Sequence, residues 1–512
     1  MAKFYLTTAI DYSNGDPHLG HVVEKVGADV IARYRRSLGE EVHFVIGMDE
    51  NGQSIAQEAA RRGTTPQALV DELAERFADV WARLDISNDD FIRTTQARHK
   101  RAVQALIRRI QEAGDLYMDR YAGYYCIRCE AFKKEEELVE GRCPIHPNRE
   151  IAWTEEENHF FRLSKYRDPL LAHVREHPEF IRPRSRRNEI LRLLEGGLQD
   201  ISASRARLPW GVPFPGMEDH TVYVWFDALP NYISAIGFPD GEFTTWWPAD
   251  LHVIGKDITR FHCVIWPAML LSAGLDLPST VWAHGFVTVA GGKLSKSAGR
   301  QFELSELLDR HGTDALRFFL MREVPWDGDR DFASPEDFLE QLDRRYNADL
   351  ANDLGNLLNR VVSMVGKYRD GRVPPVGSPG PASSRTDLEA IRIGAREEYH
   401  RCMGDFRLHH GLAEVCSLVR AANAYVDEVQ PWRLAREETG GKTGPLDVAL
   451  RSLVRALGTC AALLSPFMPG KAAELWEALG GCGEPPPAAE LERALAGLAR
   501  VRPGPVLFPR RE

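Results

Sequence analysis

The 512-residue chain is too long for one ordinary core, so three or four domains are expected, and 44% hydrophobic with 27% charged residues excludes a largely disordered protein. The net charge of -10 excludes a chain that coats nucleic acid indiscriminately and leaves only selective contacts through local basic faces. No run of about 18 apolar residues occurs, and the start "MAKFYLTTAIDYSNGDP" turns polar too early for a signal peptide, so a cytoplasmic protein with no membrane partner is expected.

The first segment, FYLTTAI at 4–10, alternates and is β-rich; the turn residues SNGDP follow, and a helical pattern runs over 20–36. A second strand, EVHFVIGMD at 41–49, precedes a helix through GQSIAQEAARRG and longer helices to about 114. Strand, helix, strand, helix predicts an α/β fold with a doubly wound, Rossmann-type parallel sheet, whose ligands sit beyond the carboxyl ends of its strands. His18, His21 and Asp49 fall there. From 115 the texture changes to short segments and Pro-rich turns as far as PWGVPFPG at 209–216, which reads as an insertion. Strand signals return in TVYVWFDA at 221–228, DLHVIGKD at 250–257 and VWAHGFVTV at 281–289, read as the second half of the same sheet. Beyond about 335 the pattern is helical, interrupted at 372–386 by a stretch whose Pro, Gly and Ser content marks an exposed linker. The expected division is 1–114, an insertion at 115–218, 219–290, a loop-bearing region at 291–340, and an all-α bundle at 341–512.

Three readings compete for His18-Leu19-Gly20-His21. A catalytic zinc pair would need a third ligand and an acid in register, which Leu19 and Gly20 do not supply. A solvated first helical turn is the plain alternative. The third reading is phosphate handling: a helix N-terminus after a parallel strand offers N–H groups and a positive dipole, Gly20 leaves room for a nucleotide, and two imidazoles can donate to charge on phosphorus. The segment AGGKLSKSAGR favours the third. It places Lys293, Lys296, Ser295 and Ser297 on a loop flanked by Gly291, Gly292 and Gly299, able to close over a polyphosphate, although the P-loop pattern GxxxxGK[ST] is absent.

Together these two signatures, HLGH at 18–21 and KLSKS at 293–297, resemble the class I aminoacyl-tRNA synthetases, and within them the methionyl-tRNA synthetase family, from about residue 3 to the end. The resemblance implies activation of L-methionine by ATP, with Mg2+, to methionyl-adenylate, then transfer to the 3' end of tRNA(Met). It implies ATP contacts from His18, Gly20, His21, Lys256, Asp257, Lys293, Ser295, Lys296 and Ser297, with His18, His21, Lys293 and Lys296 catalytic. It implies a methionine pocket of Ile10, Tyr12, Asp49, Trp225, Ala228, Leu229, Tyr232, Phe261, His262 and Trp266, in which Asp49 pairs with the substrate ammonium. An aromatic cage suits a polarizable thioether, and a polar contact to sulfur from Tyr232 or His262 would add selectivity. In the helical part, Asn356, Arg360 and Trp432 match anticodon-reading positions, which implies the triplet CAU; an amide, a guanidinium and an indole are suited to unstacked bases.

Cys126-x-x-Cys129 and Cys143-x-x-His146 form two chelating pairs that fit a closed, structural Cys3His zinc site. In the resemblance this is a single-knuckle connective insertion. Three positions depart from the family's pattern: Asp11 stands where proline or tyrosine is common, and Met48 and Asn51 flank Asp49 in place of threonine or aspartate and histidine. They keep open a paralogue with altered inhibitor or methionine-analogue response, beside a tRNA-binding homologue that does not adenylate. No appended dimerisation domain follows the bundle, so a monomer is expected.

Overall fold

The computed structural model describes the whole chain except residues 1, 14, 127–130, 134, 145–150, 207, 209, 218, 294–302, 376–385, 439–443 and 512. Its centre is a seven-stranded sheet made of β1 (Lys3–Thr8), β2 (Asp11–Tyr12), β3 (Glu41–Asp49), β4 (Asp90–Arg93), β5 (Ile181–Arg182), β6 (Leu251–Gly255) and β7 (Val281–His284). The path is β2-β3-β1-β6-β7-β5, with β4 also against β3, and every pairing is parallel. Register runs from Lys3↔Glu41 to Thr7↔Val45 on one side of β1 and from Leu6↔Leu251 to Thr8↔Val253 on the other. Parallel strands covered by helices read as apolar runs, and β1 is buried at every residue after Lys3.

The crossovers are helical. Helix α1 (Leu19–Ser37) joins β1 and β2 to β3, while α2 (Gln53–Arg62) and α3 (Pro66–Arg83) lead to β4. Helix α3 begins as its sequence dictates, with Thr65 accepting from the Ala68 N–H and Pro66 at the first turn. In the sheet the chain passes from β1 to β3 on one side of β1, and β6 lies on the other. The gap beyond the ends of β1 and β6 is therefore the switch point where ligands of such sheets bind.

Residues 116–202 contain a separate antiparallel sheet of Leu116–Cys126, Ala131–Lys133, Ala152–Phe161 and Ile201–Ser202. Between its last two strands the chain returns to the main sheet as β5, against Val281 and Trp282.

Two expected strands are corrected. Of 221–228, only Thr221 and Val222 lie in a strand, His220–Val222, which pairs with Ser204–Ala206 outside the main sheet, and Val224–Ala228 is a helical turn. Short apolar runs such as YVWF fit strand or buried helix equally. The 281–289 run is two strands, since Val287–Val289 pairs with Gly292–Lys293 and Arg330–Phe332 in its own small sheet. The linker's first residues are not all exposed: Val373 and Pro374 are buried, and Arg372 bridges to Arg500.

From Pro335 onward the described elements are helices. They share one core with α1: Arg317, fully buried, donates to Asp29 Oδ2 of α1 (2.6 Å) and to the carbonyls of Leu84 (3.1 Å), Pro466 (2.9 Å) and Phe467 (3.0 Å). Breaking such a pair would leave a buried charge uncompensated, so it locks the bundle to the sheet. Among the described residues no helix is long and apolar enough to cross a membrane.

Candidate active site

The two histidines close the N-terminus of α1. His18 Nδ1 accepts from the Gly20 N–H (3.2 Å) and His21 Nδ1 accepts from the His18 N–H (3.3 Å), a capping box built from imidazoles. The rings stack with centroids 3.7 Å apart. An Nδ1 that accepts a backbone N–H carries its proton on Nε2, so each ring keeps an Nε2–H donor on the side away from the cap. Burial, and then the neighbouring His18, holds His21 well below the ordinary imidazole range, so it acts as a neutral donor. Capping the helix and donating to a phosphate are therefore compatible roles.

Beside this terminus, at the switch point, lies a cavity of about 200 Å³. It is lined by Ile10, Tyr12, Asp49, Trp225, Ala228, Leu229, Tyr232 and His262, eight of the ten residues expected there. Phe261 stacks on Trp225 (centroids 3.5 Å, 14°) behind that wall, and Trp266 is buried with its ring centroid 6.0 Å from that of Tyr232. Ala9, Val224, Asn231 and Ile258 also line the cavity and were not expected. Each adjoins or lies within three residues of an expected residue, which is the only signal the sequence holds for them.

Polarity in the cavity is sparse and fixed. His262 Nδ1 donates to the Ile258 carbonyl (3.0 Å), so Nε2 accepts from the Tyr232 hydroxyl (2.6 Å). Burial lowers the His262 pKa to about 4 and raises that of Tyr232, making the pair neutral. His262 sits in a π-type turn, Phe261–Ile265, a local widening often found at functional sites. Asp49 ends β3 and is 7% exposed, giving a largely apolar cavity one carboxylate.

On the β6 side, Lys256 and Asp257 follow Gly255 at the strand's carboxyl end, with the Lys256 ammonium on Asp329 and over the Phe286 ring (4.7 Å). Lys293 ends the short strand opposite Thr288, whereas Ser295, Lys296 and Ser297 lie outside the described residues.

A family model, tRNA synthetases class I (M), matches residues 4–151 and 145–362. The methionine-tRNA ligase of Thermotoga maritima is 44% identical over 480 residues, 93% of this chain and 75% of that protein. That of Thermosynechococcus vestitus is 44% identical over 485 residues, 93% and 90% of the two chains. The structure of Mycobacterium tuberculosis methionyl-tRNA synthetase in complex with methionyl-adenylate is similar at a TM-score of 0.92 and 40% identity, covering 100% of both chains. The chain belongs to the methionyl-tRNA synthetase family.

In this class I synthetase the three departures from the family's pattern have concrete neighbours. Asn51 Nδ2 donates to Asp227 Oδ2 (2.6 Å), and Asp227 Oδ1 meets His99 Nε2 (3.0 Å), so Asn51 holds the helical turn that carries Trp225 and Ala228. Met48 is buried and pairs in register with Asp11. Asp11 receives the Lys25 ammonium (2.9 Å), yet burial outweighs that pair and raises its carboxyl to about 7.

The remaining expected sites are spread over the fold. Cys126 ends the Leu116–Cys126 strand and Cys143 follows the Val139–Arg142 bridge, both buried; Cys129 and His146 lie outside the described residues. Asn356 is exposed at the start of the Asn356–Arg369 helix, and Arg360, one turn on, pairs with Asp427 (2.7 Å). Trp432, 36% exposed, stands five residues beyond Asp427 on the Pro431–Glu437 helix, which packs against Asn356–Arg369.

Proposed function

We propose that this chain condenses L-methionine with ATP to methionyl-adenylate, releasing pyrophosphate, and then esterifies the 3' end of tRNA(Met). The observation that carries this is the adjacency of a small apolar cavity with a single carboxylate and a helix N-terminus capped by two histidines. Methionine's side chain would enter the cavity, its ammonium would meet Asp49, and its carboxylate would face the α-phosphate at the helix end. The Nε2–H groups of His18 and His21 would donate to phosphate oxygens as charge builds on them. Lys256 and Asp257 would meet the nucleotide, and Lys293, Ser295, Lys296 and Ser297 would close on the departing pyrophosphate. Mg2+ bound with ATP would neutralise phosphate charge. Methionine-dependent ATP–pyrophosphate exchange, run against leucine, isoleucine, valine, cysteine and norleucine, tests the assignment. A methionine-specific signal is expected, and its absence from folded protein would overturn the reading.

The domain reading that goes with this function has a catalytic sheet in two halves, 1–114 and 219–290, around a connective insertion at 115–218. A loop and stem-contact region at 291–340 and an anticodon-binding bundle at 341–512 follow. Asn356, Arg360 and Trp432 would read a CAU anticodon. Stacking of a base on an aromatic ring is worth ~1–3 kcal/mol, so Trp432→Ala should raise the KM for tRNA roughly 5- to 150-fold and leave exchange intact. Equal losses in both assays would deny Trp432 that role.

Two buried thiols, Cys126 and Cys143, in a Cys-x-x-Cys and Cys-x-x-His spacing suit a closed zinc site, so Cys126, Cys129, Cys143 and His146 would hold one structural zinc. Elemental analysis should return about one zinc per chain. A metal-free chain with its melting temperature unaffected by added zinc would refute the site. We read the chain as a cytoplasmic monomer.

A further inference from the structure

Lys25, one turn past His21 on α1, has no exposed surface. A buried ammonium is costly unless all its protons are satisfied, and here three acceptors surround it: the Ala9 carbonyl (2.9 Å), Asp11 Oδ1 (2.9 Å) and Glu24 Oε1 (2.7 Å). Two of these acceptors belong to the segment 9–12, which comprises the β1–β2 link and β2 itself. Ala9, Ile10 and Tyr12 of that segment line the cavity. Strand β2 is only two residues long and pairs with β3 at Met48 and Asp49 alone, so its ladder holds the segment weakly.

The third acceptor extends the network. Glu24 Oε2 meets His284 Nε2 (3.1 Å) at the end of β7, and His284 Nδ1 donates to the Gly285 carbonyl (2.7 Å). Burial would raise the Glu24 carboxyl, but Lys25 and His284 hold it below its ordinary value; burial would lower Lys25, but Asp11 and Glu24 hold it above. The Lys25–Glu24 pair thus joins the cavity wall, the helix that carries the histidine pair, and the strand end that leads towards Lys293.

We propose that Lys25 is a positioning residue for methionine: through Asp11 and the Ala9 carbonyl it fixes the cavity wall at a set distance from the histidine-capped helix terminus. The proposal rests on the reading of the cavity as the methionine site, which wild-type exchange tests separately.

Three variants are compared with active wild type: Asp11→Asn, Lys25→Met, and the two combined. Misplacement of a bound group by about 1 Å can cost two orders of magnitude. We expect the methionine KM to rise about threefold in Asp11→Asn and about tenfold or more in the double variant, with the ATP KM and the rate at saturating methionine within about twofold of wild type. Lys25→Met leaves two carboxylates buried without their cation and should melt lower, and the added Asp11→Asn should restore part of that loss. A purely structural role gives a different pattern, in which the double variant recovers stability and keeps the wild-type methionine KM. That outcome, or an unchanged KM in the isosteric Asp11→Asn, overturns the proposal, and Asp11→Asn decides the matter should Lys25→Met fail to fold.

Discussion

Replacing His21 by alanine lowers methionine-dependent pyrophosphate exchange by about 10²–10³-fold, the usual cost of losing one donor aimed at developing oxyanion charge. The geometry sets the direction of this effect. His21 Nδ1 is occupied by the His18 N–H, so what alanine removes at the phosphate is a neutral Nε2–H. Because burial and His18 keep the His21 pKa well below the ordinary imidazole range, this donor is unchanged across neutral pH. Any acid limb that His21 adds to the rate profile therefore falls below the normal histidine range. The cap is lost as well, at roughly 0.5–2 kcal/mol of stability, which thermal melting reads independently. A folded His21→Ala chain with wild-type exchange would sink the phosphate role and leave only the cap.

The second large effect is expected at Asp49. Asp49→Asn should cut kcat/KM for methionine between about 30-fold and several thousandfold, the range of ~2–5 kcal/mol for truncating one side of a buried charge pair. Asp49 is nearly buried at the end of β3 in a cavity whose other polar side chains, Tyr12, Trp225, Asn231 and the Tyr232–His262 pair, are neutral. The loss should therefore track the substrate ammonium. A methionine analogue lacking its amine should compete equally against wild type and variant, and the ATP KM should not move. If the variant instead loses affinity for ATP and methionine together, Asp49 holds the sheet end rather than the substrate.

Both residues were visible in the sequence for a local reason. A helix start after a parallel strand is written in contiguous residues, and a strand's last residue marks the ligand edge of such a sheet. HLGH at 18–21 and Asp49 after EVHFVIGM were placed at that edge by their neighbours alone, whereas the phosphate reading of HLGH also drew on KLSKS at 293–297 and the ammonium reading of Asp49 on the family resemblance. Where the local code is ambiguous the reading failed. YVWFDA at 223–228 is apolar enough for a strand, but the chain turns helical there, with Val224, Phe226 and Ala228 buried and Trp225 on the cavity. Asp11, Met48 and Asn51 stood out as departures, yet nothing in the sequence said whether they were compensated. Asn51 reaches Asp227 across 176 positions, and Asp11 reaches Lys25 on the next helix.

By itself the sequence determined the parallel α/β character of the chain, the helix start at the two histidines, the carboxylate at the strand end, and the synthetase signatures, because each depends on residues close together in the chain. Only the tertiary structure decided that β5 returns to the main sheet, that Tyr232 donates to His262, and that Lys25 and Glu24 join the β1–β2 link to His284, 260 positions from Glu24. These depend on which distant groups burial forces together, since a charge taken out of water must find its partner wherever the fold brings one.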